Sequence, residues 1–202
     1  MVTYCVISLL IVVHILDYLV FPPKDLNRWN FGYLVVGKHN GKLLDFMGKE
    51  PAPFNKWLCF NSVATRRGQV WRLVTGLTLH GGLFHLAANC AALWAMGPFL
   101  ESRLGPWRYL LVLLASGVFV SVLSVIHYPD ADFGVGASLA IYGALAVLAI
   151  LLVRDPQLLQ ELSWPGKIYL LLYVLSNVVM PGSIYAHSFG FLAGAGLAFV
   201  VL

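Results

Sequence analysis

Five polar side chains that could do hydrolytic chemistry stand in otherwise apolar stretches of the sequence: His80, His85, Asn89, Ser138 and His187. A serine hydroxyl becomes a nucleophile when a histidine accepts its proton. Histidine and asparagine side chains can donate hydrogen bonds to the oxyanion that develops during acyl transfer. Singly, each residue has a simpler explanation, such as a serine that bonds its own helix backbone. Together they predict hydrolysis, provided that the fold brings them to one place.

Membrane-spanning helices are the elements that must position these residues. The chain of 202 residues is 59% apolar and only 11% charged, against roughly 25% charged residues in soluble domains. Six apolar runs, most of them close to the ~20 residues that span a bilayer, predict an all-α, polytopic membrane protein. The predicted spans are 4–21, 83–100, 109–126, 137–153, 168–180 and 184–202.

We interpret the chain as one membrane domain over 1–202. Residues 1–21 form the first span, 22–82 a long interfacial loop, and 83–202 a core of spans two to six. The loop carries nine of the thirteen Lys and Arg residues together with many aromatics, a composition typical of the membrane interface. The first run lacks a basic start and a small-residue cleavage site, so we predict a helix and not a signal peptide.

With six spans, the even-numbered helices all begin on the same membrane face. Span two begins near His85, span four near Ser138 and span six near His187. At 1.5 Å per residue, all three lie one or two turns below that face. This common depth near one face argues against a transporter, whose site usually lies at the midplane.

Charge in the short loops predicts the orientation of that face. Arg103, Arg108, Arg154 and Lys167 flank the loops after spans two and four, whereas the loops after spans three and five carry no Lys or Arg. The long loop taken alone favours the opposite orientation, but long segments translocate largely regardless of charge. We therefore expect the site to face the extracytoplasmic side, in a plasma or inner membrane and not an organelle.

The neighbourhoods of the two reactive residues strengthen the prediction. Gly136 leaves the approach to Ser138 free of bulk, and amides at a helix start can bind an oxyanion. On span six, small residues at 186, 190 and 194 form a face that lets another helix come very near. The stripe alone would be a packing feature. With His187 beside it, it predicts that span six packs tightly on span four and delivers the imidazole to the serine.

His85 and Asn89 are four residues apart and lie on one face of span two. A buried asparagine is costly unless it is hydrogen-bonded. A substrate carbonyl that becomes an oxyanion between spans two and four would supply the acceptor.

From Trp71 to the end of the chain, four motifs resemble those of the rhomboid family of intramembrane serine proteases and follow one another in the same order. They are Trp71-Arg72 followed by His80, His85 and Asn89 as HxxxxHxxxN; Glu101-Ser102-Arg103-Leu104-Gly105 as a loop after span two; Gly136-Ala137-Ser138 with Tyr142; and Ala186-His187 with Gly190 and Gly194.

The resemblance implies a serine endopeptidase with a Ser138 and His187 dyad and no third acid. His85, Asn89 and the Ser138 amide would form the oxyanion hole, and Tyr142 would stack near His187. The supporting residues would be His80, Gly136, Tyr142, Gly190, Gly194, Trp71 and Arg72. The implied substrates are single transmembrane helices, cut near their outer end where they unwind, in contact with the lipid bilayer. No cofactor and no metal are expected.

One position departs from the family pattern, because Leu139 follows Ser138 where the family usually has glycine. We expect this leucine either to hold spans four and six apart or to narrow the floor of the site. The main alternative is an inactive, client-binding membrane protein of the same fold. A metal enzyme using His80, His85 and His187 has too few ligands, and nucleic acid is not an expected partner of so apolar a chain. The sequence carries no indication of oligomeric state.

Overall fold

The computed structural model describes residues 1–20, 57–131, 134–179 and 184–202. Within these ranges the chain is helical, with no strand and one isolated backbone bridge between Phe60 and Gly134. The α-helices are α1 (Val2–Val20), α2 (Ser62–Arg66), α3 (Arg72–Thr75), α4 (Leu83–Leu104), α5 (Pro106–His127), α6 (Ser138–Arg154), α7 (Trp164–Val179) and α8 (Ile184–Val201). A 3-10 helix at Pro156–Gln160 connects α6 to α7.

Each of the six predicted spans coincides with one long helix, which confirms the all-α, polytopic membrane architecture. Helices α1, α4, α5 and α8 are long and apolar enough to cross a membrane. Helix α6 has 17 residues and α7 has 16. Most of the predicted interfacial loop, residues 22–56, lies outside the described residues.

Helix α6 forms the centre of the bundle. Its residues from Ala140 to Leu148 are all buried, because α4, α5 and α8 pack around it. A helix enclosed in this way must be apolar on every face, and the α6 sequence satisfies that requirement. By contrast, α1 and α8 leave large apolar side chains on their outer surfaces, as expected of helices that face lipid.

Helix α1 is held to the far end of α4 by one carboxylate. The backbone N–H groups of Val2 and Thr3 donate to Glu101 at 2.7 and 2.9 Å, and the Thr3 hydroxyl donates to it at 2.9 Å. Glu101 thereby satisfies first-turn amides that have no acceptor within their own helix. The prediction of a loop at 101–105 is wrong for its first four residues, which continue α4 to Leu104. Gly105 ends the helix with a φ of +79°.

The described end of the long loop is bonded to the segment that precedes Ser138. Phe60 N–H donates to the Gly134 carbonyl at 2.8 Å, and Gly136 N–H donates to the Gly76 carbonyl at 3.0 Å. These two hydrogen bonds hold the residues just before α6 against the described end of the long loop.

Candidate active site

Ser138 and His187 are in contact. Their side chains come from the first residue of α6 and the first turn of α8, and His187 Nε2 lies 3.0 Å from Ser138 Oγ. That distance is within the reach of proton transfer between a hydroxyl and an imidazole. The residue before the helix, Ala137, provides no side-chain cap, so the first amides of α6 point out of the helix start without an intrahelical acceptor.

Backbone contact between α6 and α8 brings the two residues together. A methyl group added to Gly194 would lie 2.0 Å from the Gly143 carbonyl oxygen, and one added to Gly190 would lie 2.5 Å from that of Leu139. No side chain larger than hydrogen fits at either position. The predicted tight packing of span six on span four is thus confirmed. The expectation that Leu139 holds the two spans apart is wrong, since its carbonyl oxygen is itself part of the contact and its side chain is only half-buried.

Tyr142 covers the imidazole from one side. Its ring stacks on that of His187, with centroids 4.3 Å apart and an angle of 17° between the planes. The Tyr142 hydroxyl in turn donates to the backbone carbonyl of Tyr173 on α7, at 3.1 Å. With its ring held against Tyr142, the imidazole is limited to rotamers that keep Nε2 near Ser138.

Gly136 gives His85 access to the segment before Ser138. A methyl group at Gly136 would lie 2.7 Å from Cε1 and 2.8 Å from Nε2 of the His85 ring. The φ of Gly136 is +126°, a conformation that residues with a side chain rarely adopt. Two separate constraints, close contact and backbone angle, therefore demand glycine here.

Asn89 is buried, and both the nitrogen and the oxygen of its side-chain amide have hydrogen-bond partners. Its Nδ2 is 2.9 Å from His80 Nε2, and its Oδ1 accepts from the Tyr173 hydroxyl at 3.3 Å. Because an amide nitrogen can only donate, His80 Nε2 is the acceptor. Burial, together with nearby His85, holds the pKa of His80 well below its usual value, which keeps the ring neutral and able to accept. The side-chain bonds of Asn89 are thus to His80 and Tyr173, whereas His85 is the residue packed near Ser138.

Trp71 and Arg72 stabilise the end of the long loop. The buried Arg72 guanidinium donates to the Cys59 carbonyl at 2.8 Å and to Gln69 Oε1 at 2.7 Å. Trp71 is exposed, and its indole N–H donates to the Trp57 carbonyl at 3.4 Å. These hydrogen bonds connect residues 57–72 at the end of the loop, and neither residue contacts Ser138 or His187 through them.

Sequence reasoning missed the tyrosines of α7. Tyr173 contacts both Asn89 and Tyr142, and Tyr169 donates to the Ala88 carbonyl at 2.6 Å. A signal was present, since two tyrosines four apart on an apolar helix share one face. Buried tyrosine hydroxyls usually have hydrogen-bond partners, so that face was a candidate for contact with the polar residues of span two.

The sequence of this chain is similar to those of known proteins. A family model described as the Rhomboid domain matches residues 67–202. The chain is 34% identical over 139 residues to rhomboid protease GluP of Bacillus subtilis (strain 168), covering 65% of this chain and 27% of GluP. It is 33% identical over 145 residues to YdcA of the same strain, covering 69% of this chain and 71% of YdcA.

A third relative carries a different name. Inactive RHOMBOID-like protein 8 of Arabidopsis thaliana is 28% identical over 91 residues, covering 45% of this chain and 26% of that protein. The chain thus spans about a quarter of the length of two of these relatives, and the three names include both a protease and an inactive protein. Membership is decided by the family model, which covers well over half of the chain. The protein therefore belongs to the rhomboid family and is an integral membrane protein.

Proposed function

We propose that this protein is an intramembrane serine endopeptidase that cleaves transmembrane segments of other membrane proteins. The single observation that carries the proposal is the 3.0 Å contact between His187 Nε2 and Ser138 Oγ. The names of relatives such as rhomboid protease GluP support the same reaction class.

In the first half of the reaction, His187 Nε2 accepts the hydroxyl proton while Ser138 Oγ attacks the carbonyl carbon of the scissile peptide bond. The imidazolium then returns that proton to the leaving amine, and the acyl chain stays on Ser138 as an ester. In the second half, His187 takes a proton from water, whose oxygen attacks the ester carbonyl. The bond to Ser138 Oγ then breaks, the imidazolium returns its proton to that oxygen, and the carboxyl product is released. Stacking on Tyr142 keeps the imidazole aligned through both halves.

The carbonyl oxygen becomes negatively charged in each half and needs donors. The Ser138 amide, at the start of α6, is one candidate, because first-turn amides point away from the helix and the helix dipole favours negative charge there. His85 is the second, since its ring packs on Gly136 two residues before Ser138. Asn89 is the third, through the Nδ2 hydrogen that His80 does not take.

The substrate must present an extended backbone to Ser138. A peptide bond inside a transmembrane helix is shielded by its own hydrogen bonds, so we expect cleavage where small or helix-weakening residues let the segment unwind. The partners are accordingly transmembrane proteins within the bilayer. From the loop charges, we place the reaction on the extracytoplasmic side of a plasma or inner membrane, within a single domain over 1–202.

The test compares purified wild-type protein with Ser138→Ala and His187→Ala in detergent, using a generic transmembrane substrate. We expect each substitution to lower cleavage at least about a thousand-fold, because both groups act in the same step. Ser188→Ala is the matched control, since this exposed serine lies beside His187 on the same helix. It should retain wild-type activity.

A fluorophosphonate probe provides a second readout that needs no substrate. Wild-type protein and Ser188→Ala should be labelled, and Ser138→Ala should not. Equal cleavage by wild type and Ser138→Ala would overturn Ser138 as the nucleophile. No cleavage and no labelling of wild type would overturn the proposal in favour of a client-binding protein that does not cleave.

A further inference from the structure

We propose that Tyr173 is a positioning residue for the reaction, acting through Asn89 by fixing which end of its amide faces the substrate oxyanion. The inference rests on the proposed function, because it concerns the donors of that same site. It extends the site to α7, a helix that contributes neither Ser138 nor His187.

Tyr173 is placed to do this by two contacts. Its side chain is 7% exposed, and its hydroxyl lies 3.3 Å from Asn89 Oδ1. Its ring stacks on Tyr142 with centroids 5.0 Å apart and planes at 29°. Tyr142 stacks on His187. One residue of α7 therefore adjoins both the asparagine and the ring that holds the imidazole.

The orientation of the Asn89 amide decides whether this side chain stabilises or destabilises the oxyanion. When Nδ2 is directed toward the substrate, the amide offers an N–H to the negatively charged oxygen. Turned by 180°, it offers Oδ1, whose partial negative charge repels the oxyanion. A carboxamide is almost symmetric in shape, so packing alone does not distinguish the two states, and only hydrogen-bond partners can.

The observed partners select the first state. The Tyr173 hydroxyl donates to Oδ1, and His80 Nε2 accepts one of the two Nδ2 hydrogens. The second Nδ2 hydrogen is left for the oxyanion. Without the tyrosine hydroxyl, Oδ1 would lose this donor and only the bond to His80 would hold the amide in the first state, so the turned state would become more populated.

The substitution Tyr173→Phe isolates this effect. It removes one oxygen and keeps the ring that stacks on Tyr142, as well as the backbone carbonyl that accepts from the Tyr142 hydroxyl. The matched control is Tyr169→Phe, one turn earlier on α7. The Tyr169 hydroxyl donates to the backbone carbonyl of Ala88, so its removal costs a bond between the same two helices without touching the Asn89 side chain.

The experiment measures kcat and KM for wild type, Tyr173→Phe, Tyr169→Phe, Asn89→Ala and the double variant Tyr173→Phe/Asn89→Ala, with the transmembrane substrate in detergent. The loss of a whole oxyanion donor costs about a hundred- to a thousand-fold in kcat. For its misorientation by Tyr173→Phe we expect on the order of a ten-fold fall in kcat, with KM unchanged. Tyr169→Phe should stay near wild type.

The double variant separates positioning from a general structural role. Once Asn89 is alanine there is no amide to orient, so adding Tyr173→Phe should cause no further loss. The rate of fluorophosphonate labelling at Ser138 provides the same comparison where turnover is too slow to follow. Equal losses from Tyr173→Phe in both backgrounds, or equal activity of Tyr173→Phe and Tyr169→Phe, would overturn the inference.

The two proposals fail in different ways. If wild type does not cleave, or cleaves as well without Ser138, the proposed function itself is wrong. If cleavage depends on Ser138 and His187 but not on the Tyr173 hydroxyl, only the role of Tyr173 is wrong.

Discussion

The two sides of the candidate site are built from different kinds of contact. On one side, α6 and α8 meet backbone to backbone at Gly143, Gly190 and Gly194, and no side chain separates them. On the other side, the Tyr173 hydroxyl of α7 hydrogen-bonds the Asn89 side chain of α4, while the bond from Tyr169 to the Ala88 carbonyl joins the same helices without reaching a site residue. The first kind of contact fixes the distance between the proposed nucleophile and base and tolerates no added atom. The second kind orients a donor and can be altered one oxygen at a time.

The largest expected effect comes from breaking the backbone contact. In Gly194→Ala the new methyl group would lie 2.0 Å from the Gly143 carbonyl oxygen, so α6 and α8 must separate. We expect cleavage to fall more than about a hundred-fold and the free energy of unfolding to fall by about 3 kcal/mol, since overpacking is costly. Residual cleavage and thermal unfolding in detergent measure the two effects.

The control for this variant is Gly196→Ala, because a methyl group at Gly196 meets no atom within 4 Å among the described residues. It should be as active as wild type and at least as stable, because alanine is more favourable than glycine within a helix. Similar behaviour of the two alanine variants would show that the backbone contact is not what positions His187.

A smaller effect is expected from Gly136→Ala, which tests the other side of Ser138. The substitution combines a clash with the His85 ring and a φ of +126°. We expect cleavage to fall about thirty-fold, as the ring and the segment before Ser138 shift apart. Gly68→Ala is the control for backbone strain alone, since its φ is +99° with no neighbour within 4 Å.

In Gly68→Ala the free energy of unfolding should fall by about 1 kcal/mol, and the rate of cleavage should stay unchanged. If Gly68→Ala and Gly136→Ala lower stability and cleavage to the same extent, then contact with His85 contributes nothing beyond strain.

The smallest expected effect comes from Leu139→Gly, which restores the glycine usual in the family. At Gly190 the close contact is with the backbone carbonyl of residue 139, which Leu139→Gly retains, so the contact should persist. We expect cleavage to change by less than about threefold and stability to fall by about 1 kcal/mol, because glycine is unfavourable within a helix. A large gain in cleavage would mean that the leucine side chain does obstruct the site.

The close contact between α6 and α8 could be predicted from the sequence better than the hydrogen bonds between α4 and α7. Small residues spaced four apart on span six indicate close helix packing directly, and Gly190 and Gly194 behave accordingly. Their partner Gly143 was not identified, because one glycine in an apolar helix carries no signal about what it faces. The expectation that Leu139 holds the two spans apart was wrong for a similar reason, since the residue type says nothing about which of its atoms lies in the contact. That it narrows the floor of the site stays a prediction.

The role of α7 was harder to predict. Asn89 was expected to need an acceptor, but the sequence does not say which of several polar groups reaches it. His80 lies nine residues earlier and Tyr173 eighty-four residues later. Only the lateral arrangement of α4 and α7 brings Tyr173 to Asn89, and periodicity within one helix carries no information on that arrangement.

The carboxylate that holds α1 has a consequence for how the protein is made. Val2 and Thr3 are synthesised 99 and 98 residues before Glu101, so the first helix enters the bilayer before its acceptor has left the ribosome. Until the second long helix has crossed the membrane, those amide groups can be solvated only by headgroups and water. We therefore expect these hydrogen bonds to form only after α4 has crossed the membrane and the acid at residue 101 lies on the same side as the start of α1.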